Sequence, residues 1–295
     1  MAGNSMPVDL VFSNTLLLGK IADYLKQSDL ARLCQTHKLG WQTIIPRLWK
    51  SPQLHTIKKI EAFSRSVGIA LPYTMGAFWC YGYLVQVLDF SEIYTRPYTL
   101  TYDLLEPVFR HCVQAKVVNL KQCKSLCGKD FRSMFLSSPQ LCLSLTYLNI
   151  TGMETIVSHV KVVFKRLPSI KSLVLNRTNI NNAVLFIVSQ YMPDLEHLEI
   201  VKCGQVTDVA IQVLAIGCPK LAYLLIRRCK SIHNTDLLQQ IGARSGPVHV
   251  YDDSGSDEEY SGYYDCRFDE GYYSDDRYNS DRSFGGGYGY DDDEY

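Results

Sequence analysis

An α/β solenoid is the fold class this sequence predicts, with a small unit of three helices before it and an acidic tail behind. Three observations predict it. Six segments share the pattern apolar-x-x-apolar-x-apolar, and their central residues recur every 25 to 30 positions. The first fifty residues fall outside that rhythm and carry helical periodicity instead. Residues 251–295 hold fifteen acids, three bases and ten tyrosines, with almost no aliphatic side chains.

In chain order, the helical unit spans residues 10–50. Leu17, Leu18, Ile21 and Leu25 form an i, i+3/i+4 stripe, with Ser13 or Asn14 placed as N-cap. Ser28-Asp29 is placed to cap a second helix carrying Leu30, Leu33 and Cys34. A third, from about residue 39, offers Trp41, Ile44, Ile45, Leu48 and then Trp49. So small a unit buries too little surface to stand alone, so it should dock on the rest of the chain or on another protein. Residues 51–82 form a linker in which Leu54 and Ile57 suggest a degenerate first repeat.

The repeats occupy residues 83–250. Their segments are Val85–Phe90, Ala115–Leu120, Leu145–Ile150, Ile170–Leu175, Leu195–Ile200 and Leu221–Ile226, centred on residues 88, 118, 148, 173, 198 and 224. Alternation within each gives a strand. Helical stripes follow, such as Ile156, Val160, Val163 and Leu167, or Val209, Ala210, Val213 and Leu214. Thr207 or Asp208, and later Asn234 or Thr235, are placed as N-caps of the last two helices. Pro168, Pro193 and Pro219 each stand five residues before a central apolar residue, where a helix must stop and a strand begin. One strand and one helix cannot bury an apolar face alone, so neighbouring repeats should stack into a parallel sheet with helices outside. Val248-His249-Val250 arrives one period later, as a closing strand.

The strings Leu195-xx-Leu198-x-Ile200-xx-Cys203 and Leu221-xx-Leu224-x-Ile226-xx-Cys229, with Cys218-Pro219 and Val206-Thr207-Asp208, resemble leucine-rich repeats of the cysteine-containing subclass. Cys123 holds the cysteine slot of an earlier repeat, while Ile93, Met153 and Thr178 fill the others. The N-terminal string Leu17-Leu18-xx-Ile21-xx-Tyr24-Leu25-xxx-Asp29-Leu30-xx-Leu33, with Trp41 and Leu48-Trp49, resembles an F-box, although Ser13-Asn14 stand at the usual Leu-Pro opening. The resemblance implies a horseshoe with a concave parallel sheet. It also implies a substrate-recognition subunit of an SCF-type ubiquitin ligase. Leu17, Leu18, Ile21, Leu25, Leu30, Leu33, Trp41, Leu48 and Trp49 would then meet a Skp-type adaptor of the cullin–RING ligase. The alternative is a non-ligase interaction scaffold whose N-terminal helices only cap the solenoid.

On such a sheet the alternating positions face a partner. They form rows beginning Val87, Asp89, Ser91 and Glu92 in the first repeat and ending Tyr223, Leu225, Arg227 and Arg228 in the last. Tyr147, Arg177, His197, Lys202, Tyr223, Arg227 and Arg228 compose a basic-aromatic patch, the residue types that most often carry interface energy. Its expected client is an acidic or phosphorylated protein segment. Formal charge points the same way: the tail carries a net −12 (three bases less fifteen acids), so residues 1–250 carry +12 in a chain whose thirty bases and thirty acids cancel. The tail should remain without a packed core, and it could fold back on the basic repeats. Ser254 and Ser256 each have an acid three residues on, the pattern of acidophilic kinases.

Other function classes find little support. Met1 to Pro7 has no basic region leading into an apolar one, so no secretory signal is expected. The longest apolar stretch, residues 75–88, is too short to span a bilayer. Ten cysteines without a signal suit reduced thiols in the cytosol or nucleus, packed as small apolar residues. No CxxC pair, Walker loop, HExxH or GxSxG occurs, so neither metal, cofactor nor catalytic centre is expected. Tail acidity disfavours nucleic-acid contact there.

Overall fold

The computed structural model describes residues 14–36, 38–69, 80–91, 93, 100–153, 157–233 and 248–251, with the side chains of 36–42 and 248–251 outside that description. The expectations for Ser13, the Trp41 side chain, Glu92, Ile156, Asn234, Thr235, Ser254, Ser256 and the acidic tail lie outside it too.

The described residues begin with three helices: α1 (Thr15–Ala22), α2 (Gln27–Thr36) and α3 (Lys38–Lys50). Asn14 caps α1, its Oδ1 accepting the Leu17 N–H at 3.0 Å. Ser28 and Asp29 do not cap α2, which begins at Gln27 and takes both into its first turn. There the Asp29 carboxylate still suits the positive end of the helix dipole. Leu18, Ala22, Leu30 and Ile44 form a small core of their own, with Leu25, Leu33, Cys34 and Leu48 packed around it. Arg47 ties α3 to the end of α1, its Nε donating to Asp23 Oδ1 at 2.9 Å.

Next comes α4 (Ile57–Ser66), capped by Thr56 and burying Ile60 and Phe63. Seven parallel strands then pair strictly in sequence order. They are β1 (Val87–Asp89), β2 (Val117–Asn119), β3 (Tyr147–Asn149), β4 (Ser172–Val174), β5 (His197–Val201), β6 (Tyr223–Arg227) and β7 (Val248–Tyr251). Leu88, Val118, Leu148, Leu173, Leu198, Leu224 and Val248 stand opposite one another from rung to rung. Among the described residues, the helices between strands are α5 (Tyr102–His111), α6 (Gly128–Leu136), α7 (Pro139–Ser144), α8 (Val157–Phe164), α9 (Asn182–Tyr191) and α10 (Asp208–Gly217). Among the described residues, the long interval between β2 and β3 holds two helices, α6 and α7, whereas the equally long one between β1 and β2 and each shorter one among the next three hold a single helix.

This is an α/β array built on a parallel sheet, compatible with a repeat solenoid. Its core runs unbroken from Leu54 to Cys229. The helix stripe is corrected in α10: Val209 is exposed, and the buried face is Ala210, Ile211 and Leu214. Gly217 closes that helix against α9, where an added Cβ would overlap the Ser189 carbonyl oxygen.

Two sets of hydrogen bonds order the rungs. The N–H groups of Lys116, Thr146, Lys171, Glu196 and Ala222 each donate at 2.8 Å to the equivalent carbonyl one rung earlier. The Gln86 N–H donates at the same distance to Lys50 O, so the end of α3 stands where a still earlier rung would. Cysteine supplies the second set. The Cys123, Cys203 and Cys229 thiols donate to the carbonyls of Phe90, Leu175 and Ile200, in the preceding repeat, at 3.8, 3.3 and 3.3 Å. A small, mostly apolar side chain with one weak donor suits a buried slot facing one carbonyl.

Candidate functional site

The apolar surface of the N-terminal unit is divided between inside and outside. Leu18 and Leu30 are buried, 1% and 6% exposed, so their assignment to a partner-facing surface is corrected. The stripe that sequence spacing drew through Leu17 and Leu18 splits because adjacent helical positions lie about 100° apart. Leu25, Leu33 and Leu48 are half-buried against the small core. Trp49 turns the other way, stacking on Tyr81 at 4.4 Å and on Phe63 at 5.6 Å, and packs against the core of the repeats. What remains outward on α1 and just beyond it is Leu16 (81% exposed), Leu17 (43%), Ile21 (38%) and Tyr24 (91%). Leu17, Ile21 and Tyr24 follow an i, i+4, i+7 spacing, which is one helical face. Leu16 and Tyr24 were not assigned to that surface by sequence; only the helical phase fixed by Leu18 and Ala22 reveals them.

The partner-facing rows of the sheet are set by the strands. In β5 and β6, His197 and Tyr223 stand opposite each other, and their rings stack at 4.3 Å with a 6° interplanar angle. Beneath them Glu199 is fully buried. His197 Nε2 lies 2.9 Å from Glu199 Oε1, and Asn176 Nδ2 donates to Glu199 Oε2 at 2.8 Å. The contact with Glu199 fixes the orientation of the His197 ring. The other end of Asn176 accepts the Val201 N–H at 2.9 Å. A buried carboxylate satisfied in this way holds the aromatic pair in place rather than offering a reactive group.

Tyr147 belongs elsewhere. It is 8% exposed, two rungs from His197, and its hydroxyl accepts from Asn149 Nδ2 at 3.4 Å, so its place on an open patch is corrected. Asn149, Val174 and Leu225 are buried as well.

The cationic residues sit where each strand ends. Gln122, Gly152, Arg177, Lys202 and Arg228 all have positive φ, between 54° and 71°. The sequence reading carries strand alternation through this row; the structure turns the chain there. Four of the five are not glycine, so a left-handed residue was legible only at Gly152. The turn keeps the ladder going: the N–H groups of Gln122, Gly152, Arg177 and Lys202 donate to Thr151, Asn176, Val201 and Arg227 carbonyls at 2.7 to 2.9 Å. Arg177, Lys202 and Arg228 therefore recur rung by rung along one rim, roughly 5 Å apart for neighbouring strands. Arg177 and Lys202 are exposed, and Arg227 and Arg228 half-buried. The rim and the His197–Tyr223 pair thus adjoin, with Arg227 opposite Val201 in register.

Burial pushes the repeat thiols up: Cys203 and Cys142 to about 11, Cys123 and Cys218 to about 12. Thiols so protonated are structural donors, not nucleophiles. Among the described residues, no group of three or more His, Cys, Asp or Glu side chains is arranged to hold a metal, and no helix is long and apolar enough to cross a membrane.

No protein-family model matches the chain. Over 102 residues, 34% of its length, the chain is 28% identical to F-box/LRR-repeat protein 4 of Bos taurus. It spans about 16% of that relative's length. This is a distant similarity, to a protein whose name joins the two elements that the N-terminal and repeat strings resemble.

Proposed function

We propose that the chain is a substrate-recognition subunit of an SCF-type ubiquitin ligase, made of an F-box-like unit and a leucine-rich-repeat horseshoe of the cysteine-containing subclass. The observation that carries the reading is the outward row of Leu16, Leu17, Ile21 and Tyr24. A unit whose own core, among the described residues, is four buried side chains leaves these uncovered, in a chain that goes on as stacked repeats. That surface would hold the Skp-type adaptor. The rim of Arg177, Lys202 and Arg228, with His197, Tyr223 and Arg227, would hold an acidic or phosphorylated client. The chain makes and breaks no bond in this reading; it raises the client's effective concentration near a charged E2 enzyme. Its setting would be the cytosol or nucleus.

A scaffold that binds no ligase is the second reading, favoured by a different observation. The Gln86–Lys50 hydrogen bond and the stacking of Trp49 build the end of α3 into the first rung, as a solenoid cap would be. Co-purification separates the two. The full chain should be captured with a Skp-type adaptor, and Leu17→Lys/Ile21→Lys should lose it while Arg227→Glu/Arg228→Glu keeps it. Absence of any adaptor on the unaltered chain leaves the scaffold reading standing. The Arg227→Glu/Arg228→Glu chain should instead lose client proteins from the capture.

A further inference from the structure

The helical side of the array carries a feature independent of both readings. An open cleft of about 610 Å³ lies beside α6 and α8, lined by Lys129, Arg132, Ser133, Leu136, Ser137 and His159. The first five follow at i, i+3, i+4, i+7 and i+8, so they form one continuous face of α6 and its C-cap. His159 comes from α8. Lys129 and Arg132 make no ion pair among the described residues, and none of the lining residues is acidic. Asp130, beside Lys129 in sequence, is engaged in capping, accepting the Cys127 N–H at 3.0 Å. His159 is partly exposed, yet its Nδ1 is sealed from solvent without a hydrogen-bond partner. A ring nitrogen must either donate or accept, so burying one unpaired costs stability.

We propose that this cleft binds a phosphoryl group carried on a phosphoserine or phosphothreonine of a second polypeptide. Two cations, the Ser133 hydroxyl and the imidazole are donors suited to a tetrahedral dianion, whose oxygens each take more than one hydrogen bond. Seating the anion lets the His159 ring turn its unpaired nitrogen toward an oxygen. Leu136 gives apolar contact for the aliphatic part of the modified side chain. The cleft lacks the aromatic platform on which nucleic-acid bases stack. Its two cations are also fewer than the cluster of about four to eight that anionic membranes attract. An open trough along a helix fits a passing chain better than an enclosed solute.

The test uses the full chain with isotope-labelled histidine, followed by NMR. It is titrated with a glycine pentapeptide bearing a central phosphoserine, with its unphosphorylated form, with inorganic phosphate and with oligouridylate. The phosphopeptide should move the His159 resonance and the unphosphorylated form should not. Lys129→Ala/Arg132→Ala should weaken the phosphopeptide about tenfold or more, a charge-assisted hydrogen bond's share of affinity. Lys58→Ala, on α4, should change nothing, and circular dichroism should show every variant folded. Equal response to both peptides, or wild-type affinity in the double variant, overturns the proposal. A response to inorganic phosphate alone makes the ligand a free solute, and preferential binding of oligouridylate makes it a nucleic acid; either overturns it too.

Discussion

The N-terminal unit and the repeat array solve the same problem, hiding apolar surface, in opposite ways. In the array each rung covers the one before it, so a single core extends from Leu54 to Cys229 and strands meet in register. In the helical unit four side chains close a core of their own, and Leu16, Leu17, Ile21 and Tyr24 are left outside. Stacking lets a chain bury its surface indefinitely; three short helices cannot, and their surplus is what a partner can use.

Substitutions can break or sharpen that contrast. The largest effect is expected from Phe135→Ala, which empties a site where the ring meets Phe109 at 5.4 Å and Phe131 at 4.9 Å. Urea unfolding should show a loss of about 3–5 kcal/mol, whereas Leu17→Ala on the exposed row should cost less than about 0.5 kcal/mol. A large loss at Leu17 would make that row structural.

His197→Ala should cost about 1–3 kcal/mol, because it leaves the buried Glu199 with one partner fewer. Ser172→Ala, in the same row one rung earlier, should be nearly silent by the same measurement.

A smaller effect concerns pH. The buried thiols have folded-state values raised above the unfolded value of about 8.5, so the unfolded chain gives up its protons first. Their contribution is intact below about pH 8.5 and fades as pH climbs through the raised values of Cys142, Cys203, Cys123 and Cys218. The urea midpoint should fall across that window, and less steeply in Cys203→Ala. Alkylation at neutral pH should reach the exposed Cys127 well before Cys203 or Cys218. Smallest of all, Lys220→Ala should leave the midpoint where it is, since its 2.6 Å pair with Asp194 lies in solvent.

The strand rhythm was legible because its signal is covalent spacing: apolar residues two and three apart, repeated, leave few registers that bury all of them. Leu88, Val118, Leu148 and their successors align as that spacing requires. Phase around a helix was harder to read. Leu17 and Leu18 are both apolar, and only contact with Leu30 and Ile44 decides that Leu18 turns inward; Val209 and Ile211 exchange roles in α10 for the same kind of reason. The left-handed turns at Gln122, Arg177 and Lys202 had no local sign, because the inter-rung hydrogen bonds that hold them come from the neighbouring repeat. Glu199 belongs to the row that runs from Asp89 to Leu225, whose alternation alone would turn it outward, but His197 and Asn176 enclose it.

The most direct measurement is calorimetric titration of a purified Skp-type adaptor into the full chain and into Leu17→Lys/Ile21→Lys, with urea midpoints taken in parallel. The expected result is saturable binding to the unaltered chain, its loss in the variant, and matching midpoints. Undiminished binding by the variant would contradict the assignment of that face, and no binding by the unaltered chain would contradict the function built on it.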